Sequence, residues 1–541
     1  MINMQDNVTV GVNILETLTT AMYKDPLVIF REYIQNACDQ IDEAVKNGLL
    51  ASNEGQVELW IDDEQHLVSI EDNATGIPAK SFRQTLYSIG ESAKTLGETK
   101  GFRGIGHWCG LAYCETLMFV SKAKGEDIES IMTCDGMTLR QMMTEHNLDK
   151  VSYTLDEVMA KTVTFSTKKA NDKDNHYFKV RLIGINEDHK KLYTLQDVKD
   201  YLSFVAPVGY AAEFRFRSTI HDYAKSINQP IQEYKISVGV EGKTCEHVSK
   251  KYTKSFTTHS RGDDEITDVA FQNFKDDKGN LIAWLWFGLC DFKAQILKEN
   301  QMRGIRLRTQ NIQIGNDDAL QKLFKEDRGQ YYFVGELFAI AKDLIPNAQR
   351  DYFNANEARS RFEQLVTNFF NEDLSAIYKE GSKINSKYKK IESAGSLEAK
   401  LYSDMSSGKT VSEEEHKRLK QIKKEAKNAQ SELDKIRARN VTKLDSNQVK
   451  KVDNIVKKII DNNEKKRANQ PLQIVVSNIV SVDEKNTPET SLSRVAVPTT
   501  TAQNDTSEKL VPVSRICRII RELAESSTAE AIIAKIEEEL L

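Results

Sequence analysis

The segment Phe30-Arg-Glu-Tyr-Ile-Gln-Asn-Ala-Cys-Asp39 constrains this chain more than any other. Phe30, Ile34, Ala37 and Ile41 recur at helical spacing and ask for burial. Glu32, Asn36 and Asp39 fall at i, i+4 and i+7, so they share one face of the same helix. A helix packed through its apolar stripe aims an acid, an amide and a second acid in one direction. Alone, such a stripe reads as a solvated face. Lining a cleft, it supplies a carboxylate that orients or deprotonates water and an oxygen ligand for magnesium beside phosphates.

Local signals frame that helix. Asp25-Pro26 marks its start, with Pro in the first turn where a missing N–H costs nothing, and it runs to about Asn47, where Gly48 stops it. Val57, Leu59 and Ile61 alternate with polar residues as a strand, Leu67 to Ile70 reads as its partner, and Val163 to Ser166 and Phe178 to Ile183 read as further strands. Two glycine-bearing segments follow the helix. Ser69-Ile-Glu-Asp-Asn-Ala-Thr-Gly-Ile77 leaves a strand through an Asp-Asn turn; a carboxylate there accepts from an exocyclic amine, and Gly76 lets backbone approach a flat base. Gly101-Phe-Arg-Gly-Ile-Gly106, followed by Gly110, opens a predicted helix over Trp108 to Cys114 and can present N–H groups to phosphate. Between them, Ser88 to Lys100, including Lys94, has the small and charged residues of a mobile lid, a composition that an exposed loop shares.

In this order and spacing the three segments resemble the GHKL superfamily of ATPases, which includes gyrase subunits, histidine kinases, MutL proteins and the ninety-kilodalton heat-shock chaperones. The resemblance implies an α/β Bergerat fold, a two-layer α+β sandwich. It also implies an ATP and Mg2+ site: Glu32 as catalytic base, Asn36 as the magnesium ligand, and Asp39, Asp72, Gly76, Ile77, Lys94, Gly101, Gly104, Ile105 and Gly106 around the nucleotide. The family's Asp-x-Gly-x-Gly is written here Asp72-Asn-Ala74-Thr-Gly76, so Ala74 departs from the pattern. Thr164 is a candidate for the late-strand phosphate contact, with residues 176–183 competing for that strand.

The lead-in from Asn13 to Asp25 and the later segment Asp343-Leu-Ile-Pro-Asn-Ala-Gln-Arg-Asp351 pull the resemblance toward the heat-shock branch. That branch carries an Asn and an Arg three positions apart in a middle-domain catalytic loop. The resemblance therefore implies that Asn347 contacts nucleotide and that Arg350 reaches the γ-phosphate when the domains close. No histidine precedes Glu32, which argues against a histidine kinase. The likeness covers roughly residues 5–370.

The chain of 541 residues is too long for one hydrophobic core. We divide it into an ATP-binding domain (1–215), a middle α/β domain (216–372), a helical or coiled-coil region (373–470), a flexible linker (471–510) and a C-terminal helical docking or dimerisation module (511–541). In the middle domain, Ile282 to Phe287 and Ile305 to Arg308 have strand character, whereas Phe333 to Leu344 has helical spacing. Leu419, Ile422, Ala426, Ala429, Leu433 and Ile436, then Val449, Val452, Val456 and Ile459, form two short heptad seams that suit an internal hairpin or a dimeric coiled coil equally. Ser407-Gly-Lys-Thr410 looks like the end of a P-loop, but the first glycine is missing and no strand precedes it, so we reject it.

The scattered seven cysteines suit reduced thiols, and no signal peptide or bilayer-spanning run is evident, so the expectation is a cytoplasmic protein without a membrane partner. Functionally the resemblance implies an ATP-driven, homodimeric, chaperone-like clamp acting on a partner protein. The alternative is a MutL- or MORC-like clamp associated with nucleic acid, in genome maintenance or defence. Its support is the excess of seventeen Lys or Arg over ten Asp or Glu between Val411 and Gln470. A scaffold with a degenerate pocket is the third reading, resting on Ala74.

Overall fold

A computed structural model of the chain describes residues 11–15, 25–88, 106–148, 150–259, 262–438 and 447–468. The fold is mixed α/β with a long helical tail. Helix α1 (Val28–Lys46) begins after the turn that Asp25 and Pro26 form: the Asp25 carboxylate accepts the Leu27 N–H at 3.0 Å. It stops where expected. Gly48 adopts φ +71°, and the Gly48 and Leu49 N–H groups bond back to the Val45 and Ala44 carbonyls at 3.1 and 2.8 Å.

The first sheet has eight strands: β1 (Gln56–Asp62), β2 (Leu67–Asp72), β3 (Cys114–Lys122), β4 (Ile128–Asp135), β5 (Val163–Lys169), β6 (Tyr177–Ile185), β7 (Lys235–Val240) and β8 (Cys245–His247). Their spatial order is β5-β4-β3-β6-β2-β1-β7-β8, antiparallel except for the parallel β1–β7 pair. In β1 the alternation read from sequence holds: Val57, Leu59 and Ile61 point into the core, and the register pairs Leu59 with Ile70 of β2. Helix α1 packs on β1 and β2, which fixes its polar stripe relative to the end of β2. Smaller helices complete this part: α2 (Ala79–Tyr87), α3 (Gly136–Asn147) and α4 (Leu155–Thr162), the last opened by a Thr154–Glu157 capping box.

Two hydrophobic cores form among the described residues. One gathers residues from Val12 to Val248, the other from Phe204 to Ile460. They meet at helix α5 (Leu195–Val205), which gives Val198 and Leu202 to the first core and Phe204 to the second. The connecting segment carries α6 (Arg217–Ser226) on the second core before the chain returns to the first sheet as β7.

A short β9 (Ser255–Thr257) and β10 (Asp263–Glu265) pair precedes the second sheet, β11 (Asp268–Lys275), β12 (Leu281–Leu289), β13 (Gly304–Thr309), β14 (Ile312–Gln313) and β15 (Val334–Ala339). Its order is β11-β12-β15-β13-β14. Strand β15 corrects the helical reading of Phe333 to Leu344. All six of its residues are buried. A short run buried on both faces, apolar but for Glu336, has no period-2 signature, so spacing alone cannot separate it from a helix. Likewise Trp108 to Cys114 is not an α-helix: a 3-10 turn covers Gly106–Ala112 and β3 starts at Cys114.

Helices α7 (Glu357–Phe369), α8 (Ser375–Ser406), α9 (Glu413–Ala438) and α10 (Asn447–Ala468) follow. The α9 seam lies on α8 in the same chain, with Ala429 and Leu433 buried and a Lys423–Glu398 ion pair at 2.5 Å. From α10, Ile455, Val456, Ile459 and Ile460 join the second core. Ser407 to Thr410 is an exposed turn between two helices, as the rejection of a P-loop requires. No helix among the described residues is long and apolar enough to cross a membrane. The linker at 471–510 and the module at 511–541 lie outside the described residues.

Candidate functional site

The stripe on α1 is not a solvated face. Glu32 and Asp39 are buried beside Phe30, Tyr33, Ile34 and Cys38, and Asn36 is half-buried. Glu32 Oε1 sits 3.0 Å from Arg350 Nε and 3.7 Å from Arg31 Nε. Despite these charges it accepts no hydrogen bond of good geometry among the described residues, and neither does the buried Gln35 Oε1. Buried carboxylate lone pairs without a donor fit a site that takes a water or ligand there. The start of the 3-10 turn supplies the room: a Cβ on Gly106 would lie 2.9 Å from Glu32 Oε2. The turn is tied to α1 through Tyr33, whose hydroxyl donates to the His107 carbonyl at 3.2 Å and accepts the Gly110 N–H at 3.1 Å. Burial pushes the Tyr33 phenol well up, which keeps it a neutral donor. Burial and then the nearby Glu32 carboxylate push up the Cys109 thiol.

Asp72 ends β2 and is buried, its Oδ1 accepting the Ala74 N–H at 3.0 Å. Gly76 has φ +61°, and a Cβ there would lie 2.1 Å from the Lys122 carbonyl oxygen. Only glycine fits that close a crossing of backbones. Ile77 is held by Ser121 on both sides: its N–H donates to Ser121 Oγ at 2.6 Å, and that hydroxyl donates back to the Ile77 carbonyl at 3.2 Å. Thr75 Oγ1 donates to Gln40 Oε1 of α1 at 2.7 Å, joining the turn to the helix. Ala74, the departure from the family pattern, is fully buried in the first core, so its methyl is accommodated.

Arg350 lies on the segment after β15, with φ +53°, a left-handed backbone unusual for a non-glycine residue and costing about 1–2 kcal/mol. Its carbonyl accepts the Gly315 N–H at 2.8 Å and Arg31 Nη1 at 3.4 Å, while Arg31 Nη2 reaches the Gln349 carbonyl at 3.1 Å. Asn347 closes the loop: its Nδ2 donates to Asp351 Oδ1 at 2.5 Å and its Oδ1 accepts the Asp351 N–H at 3.2 Å. This places Asn347 as a brace of the loop that presents Arg350.

The structure thus brings together Glu32, Gly106 and Arg350; Asn36 and Asp39 follow Glu32 along α1, and Asp72, Gly76 and Ile77 lie at the end of β2 and in the turn that Thr75 ties to α1. It does not bring Thr164 there. Thr164 is exposed on edge strand β5, separated from β2 by β4, β3 and β6; the strand beside β2 is β6, where Asp72 pairs with Phe178. Lys94, Gly101, Gly104 and Ile105 lie outside the described residues. For a divalent cation, the half-buried Asn36 amide one turn from Glu32 is a suitable oxygen donor, because magnesium takes most of its ligands from phosphate and water.

Sequence reasoning missed Arg31 and Ser121. Arg31 looks like any surface cation beside an acid, and the two carbonyls it holds lie 318 and 319 residues away in the chain. Ser121 carries no local signal, since it acts only through the register of β3 beside the Gly76 turn.

Residues 37–174 match the family model described as "Histidine kinase-, DNA gyrase B-, and HSP90-like ATPase". That match begins just past Glu32 and Asn36. The chain is also 23% identical over 278 residues to the "Chaperone protein HtpG" of Hydrogenovibrio crunogenus (strain DSM 25203 / XCL-2), covering 48% of this chain and 38% of that protein. The chain therefore spans well under half the length of the curated relative it matches.

Proposed function

We propose that this chain, whose N-terminal part is a GHKL-type ATPase domain resembling that of the ninety-kilodalton heat-shock chaperones, is an ATP-hydrolysing clamp. Its closure seats the Arg350 loop of the second domain against Glu32. The observation that carries this reading is the 3.0 Å approach of Arg350 Nε to Glu32 Oε1, between a loop rooted in the second core and a helix rooted in the first.

In this reading Asp72 accepts the exocyclic amine of adenine, and the Gly76 turn lets backbone lie close to the base. Asn36 would hold Mg2+, which when bound would neutralise phosphate charge. Glu32 orients a water and takes its proton as the water oxygen bonds to the γ-phosphorus and the bond to the β-phosphate oxygen breaks. A base so placed contributes about 10²–10⁴ in rate. Arg350 stabilises charge on the transferring phosphoryl group, worth about 10³–10⁵ for a guanidinium supplied from a separate element. Hydrolysis then depends on the two domains being together, and a protein client held by the clamp experiences the cycle. Two copies joined through residues 511–541 give the clamp its two arms.

The nucleic-acid alternative draws on the cations of α9 and α10. Several are already matched: Lys417 with Glu413 at 2.9 Å, Lys423 with Glu398, and Arg437 with Asp461 at 3.1 Å and Glu464 at 2.8 Å. Charge already paired has less to offer phosphates.

Steady-state ATP turnover of the full chain tests the proposal, with Glu32→Ala and Arg350→Ala beside it and ATP binding measured separately. Both variants should bind ATP and turn over at least about a hundredfold more slowly. An Arg350→Ala protein with wild-type turnover would remove the closure mechanism and move the nucleic-acid clamp ahead.

A further inference from the structure

Arg350 holds a left-handed backbone, so something other than local preference must keep it there. Besides Arg31 and the Asn347 carbonyl, which accepts the Arg350 N–H at 3.1 Å, the β13–β14 hairpin holds it. The Gly315 N–H donates to the Arg350 carbonyl at 2.8 Å, just past the end of β14. Gly315 is itself at φ +66°, and a Cβ on it would lie 2.5 Å from the Asp351 carbonyl oxygen and 2.8 Å from Ala319 Cβ. The arginine loop therefore rests directly on glycine backbone.

The other end of the hairpin is anchored elsewhere. Its two-residue turn, Gln310-Asn311, has positive φ at both positions (+48° and +64°), the turn that matches strand twist. Asn311 is buried at 2% exposure. Its Nδ2 donates to the Gln232 carbonyl at 2.7 Å, and its Oδ1 accepts from Lys250 Nζ at 2.7 Å. Gln232 belongs to the segment that returns from α6 to the first sheet, so the turn is bolted to the connection between the two cores. Arg308 fixes the turn from within, donating to the Asn311 carbonyl at 2.8 Å and to the Phe204 carbonyl, where α5 ends, at 2.7 Å.

We propose that Gly315 and Asn311 are positioning residues for catalysis. The β13–β14 hairpin is a strut that sets the Arg350 loop at a fixed place relative to the interdomain connection, so that Arg350 meets Glu32. The inference rests on the reading of Arg350 as the charge-stabilising residue. A Cβ at position 315 displaces the Asp351 carbonyl, and with it the adjoining Arg350, by a fraction of an ångström or more, while leaving the nucleotide turn at Asp72 to Ile77 untouched.

The test is a double-mutant cycle on the full-length protein, read by single-turnover ATP hydrolysis with enzyme in excess and by separate titration of ATP binding. Gly315→Ala should lower the hydrolysis rate about 10–100-fold with ATP affinity kept within about twofold, as expected when a catalytic group is displaced by about 1 Å. In an Arg350→Ala background the same change should cost nothing further, because the glycine acts only through that arginine. Asn311→Ala is the second variant, free of any steric insertion, and should show the same pattern if Gly315→Ala does not fold. Equal losses in both backgrounds, or wild-type turnover in the single variants, would overturn the strut and leave the reading of Arg350 standing. Wild-type turnover of Arg350→Ala itself would overturn both.

Discussion

Arg350 Nε lies 3.0 Å from Glu32 Oε1, with both side chains 7% exposed. An ion pair this buried is weak evidence of stability, because desolvation opposes it, but it is strong evidence of geometry: neither charge can be left there alone. The two groups proposed to do the chemistry are paired directly with one another.

That mutual hold is measurable. Glu32→Ala, Arg350→Ala and the double variant, melted without nucleotide, should show a coupling of about 0.5–3 kcal/mol, since each single variant strands the other charge. Additive losses would mean that the pair is not formed in solution.

Arg31 links the same groups, facing Glu32 while its guanidinium holds the Gln349 and Arg350 carbonyls. Arg31→Ala should slow turnover about 10–100-fold, as for a catalytic group that loses its placement, with ATP affinity changed little. Phosphate-release assays beside a binding titration separate the two; a loss confined to affinity would instead put Arg31 on the nucleotide.

Gly76→Ala meets the Lys122 carbonyl oxygen at 2.1 Å in a left-handed backbone. The turn must open at a cost of about 1–3 kcal/mol, a fall in ATP affinity of about 10–100-fold. Titration with a fluorescent ATP analogue reads it. Unchanged affinity would show that this turn does not shape the nucleotide site.

Glu336 is fully buried and accepts from Arg308 Nε at 2.5 Å, Lys250 Nζ at 2.9 Å and the Tyr210 and Tyr252 hydroxyls at 2.5 and 3.1 Å. Burial opposes its charge, but Arg308 and Lys250 outweigh it and hold the carboxyl below the ordinary glutamate value. A depressed acid stabilises the fold above its unfolded pKa, near 4.3 for a glutamate as an approximate reference, and that contribution is lost as pH falls below it. Glu336→Gln should cost about 3–5 kcal/mol at neutral pH by stranding the buried Arg308 guanidinium. The gap between wild type and variant should narrow as melts are taken from pH 7 toward pH 3. A gap independent of pH would mean that the carboxylate is not charged in the fold.

The Ser407-Gly-Lys-Thr410 turn is exposed between α8 and α9. Replacing Lys409 and Thr410 by Ala should leave ATP affinity and turnover within about twofold, since exposed substitutions rarely propagate. A large loss in either would return this turn to the nucleotide site.

The i, i+4, i+7 stripe on α1, its start and stop signals, the alternation in β1 and the Asp72 to Gly76 turn could all be read from residues close in sequence. The buried strand β15 could not, because a run covered on both faces, apolar but for Glu336, carries no period that excludes a helix. Thr164 was misdirected for a related reason: composition names a strand but not its place in a sheet, and β5 came out at the edge while β6 took the position beside β2.

What the sequence determined by itself was therefore local: the start and stop of α1, the polar stripe along it, and where glycine is needed. What only the tertiary structure decided was which distant groups meet. Arg31 against the Arg350 carbonyl, Ser121 under Ile77, and Gly315 beneath the Arg350 loop are contacts between segments with no shared periodicity. They exist because two cores close around α5 and one hairpin spans the connection between them. Such contacts are fixed by packing and register, which summed local preferences do not encode.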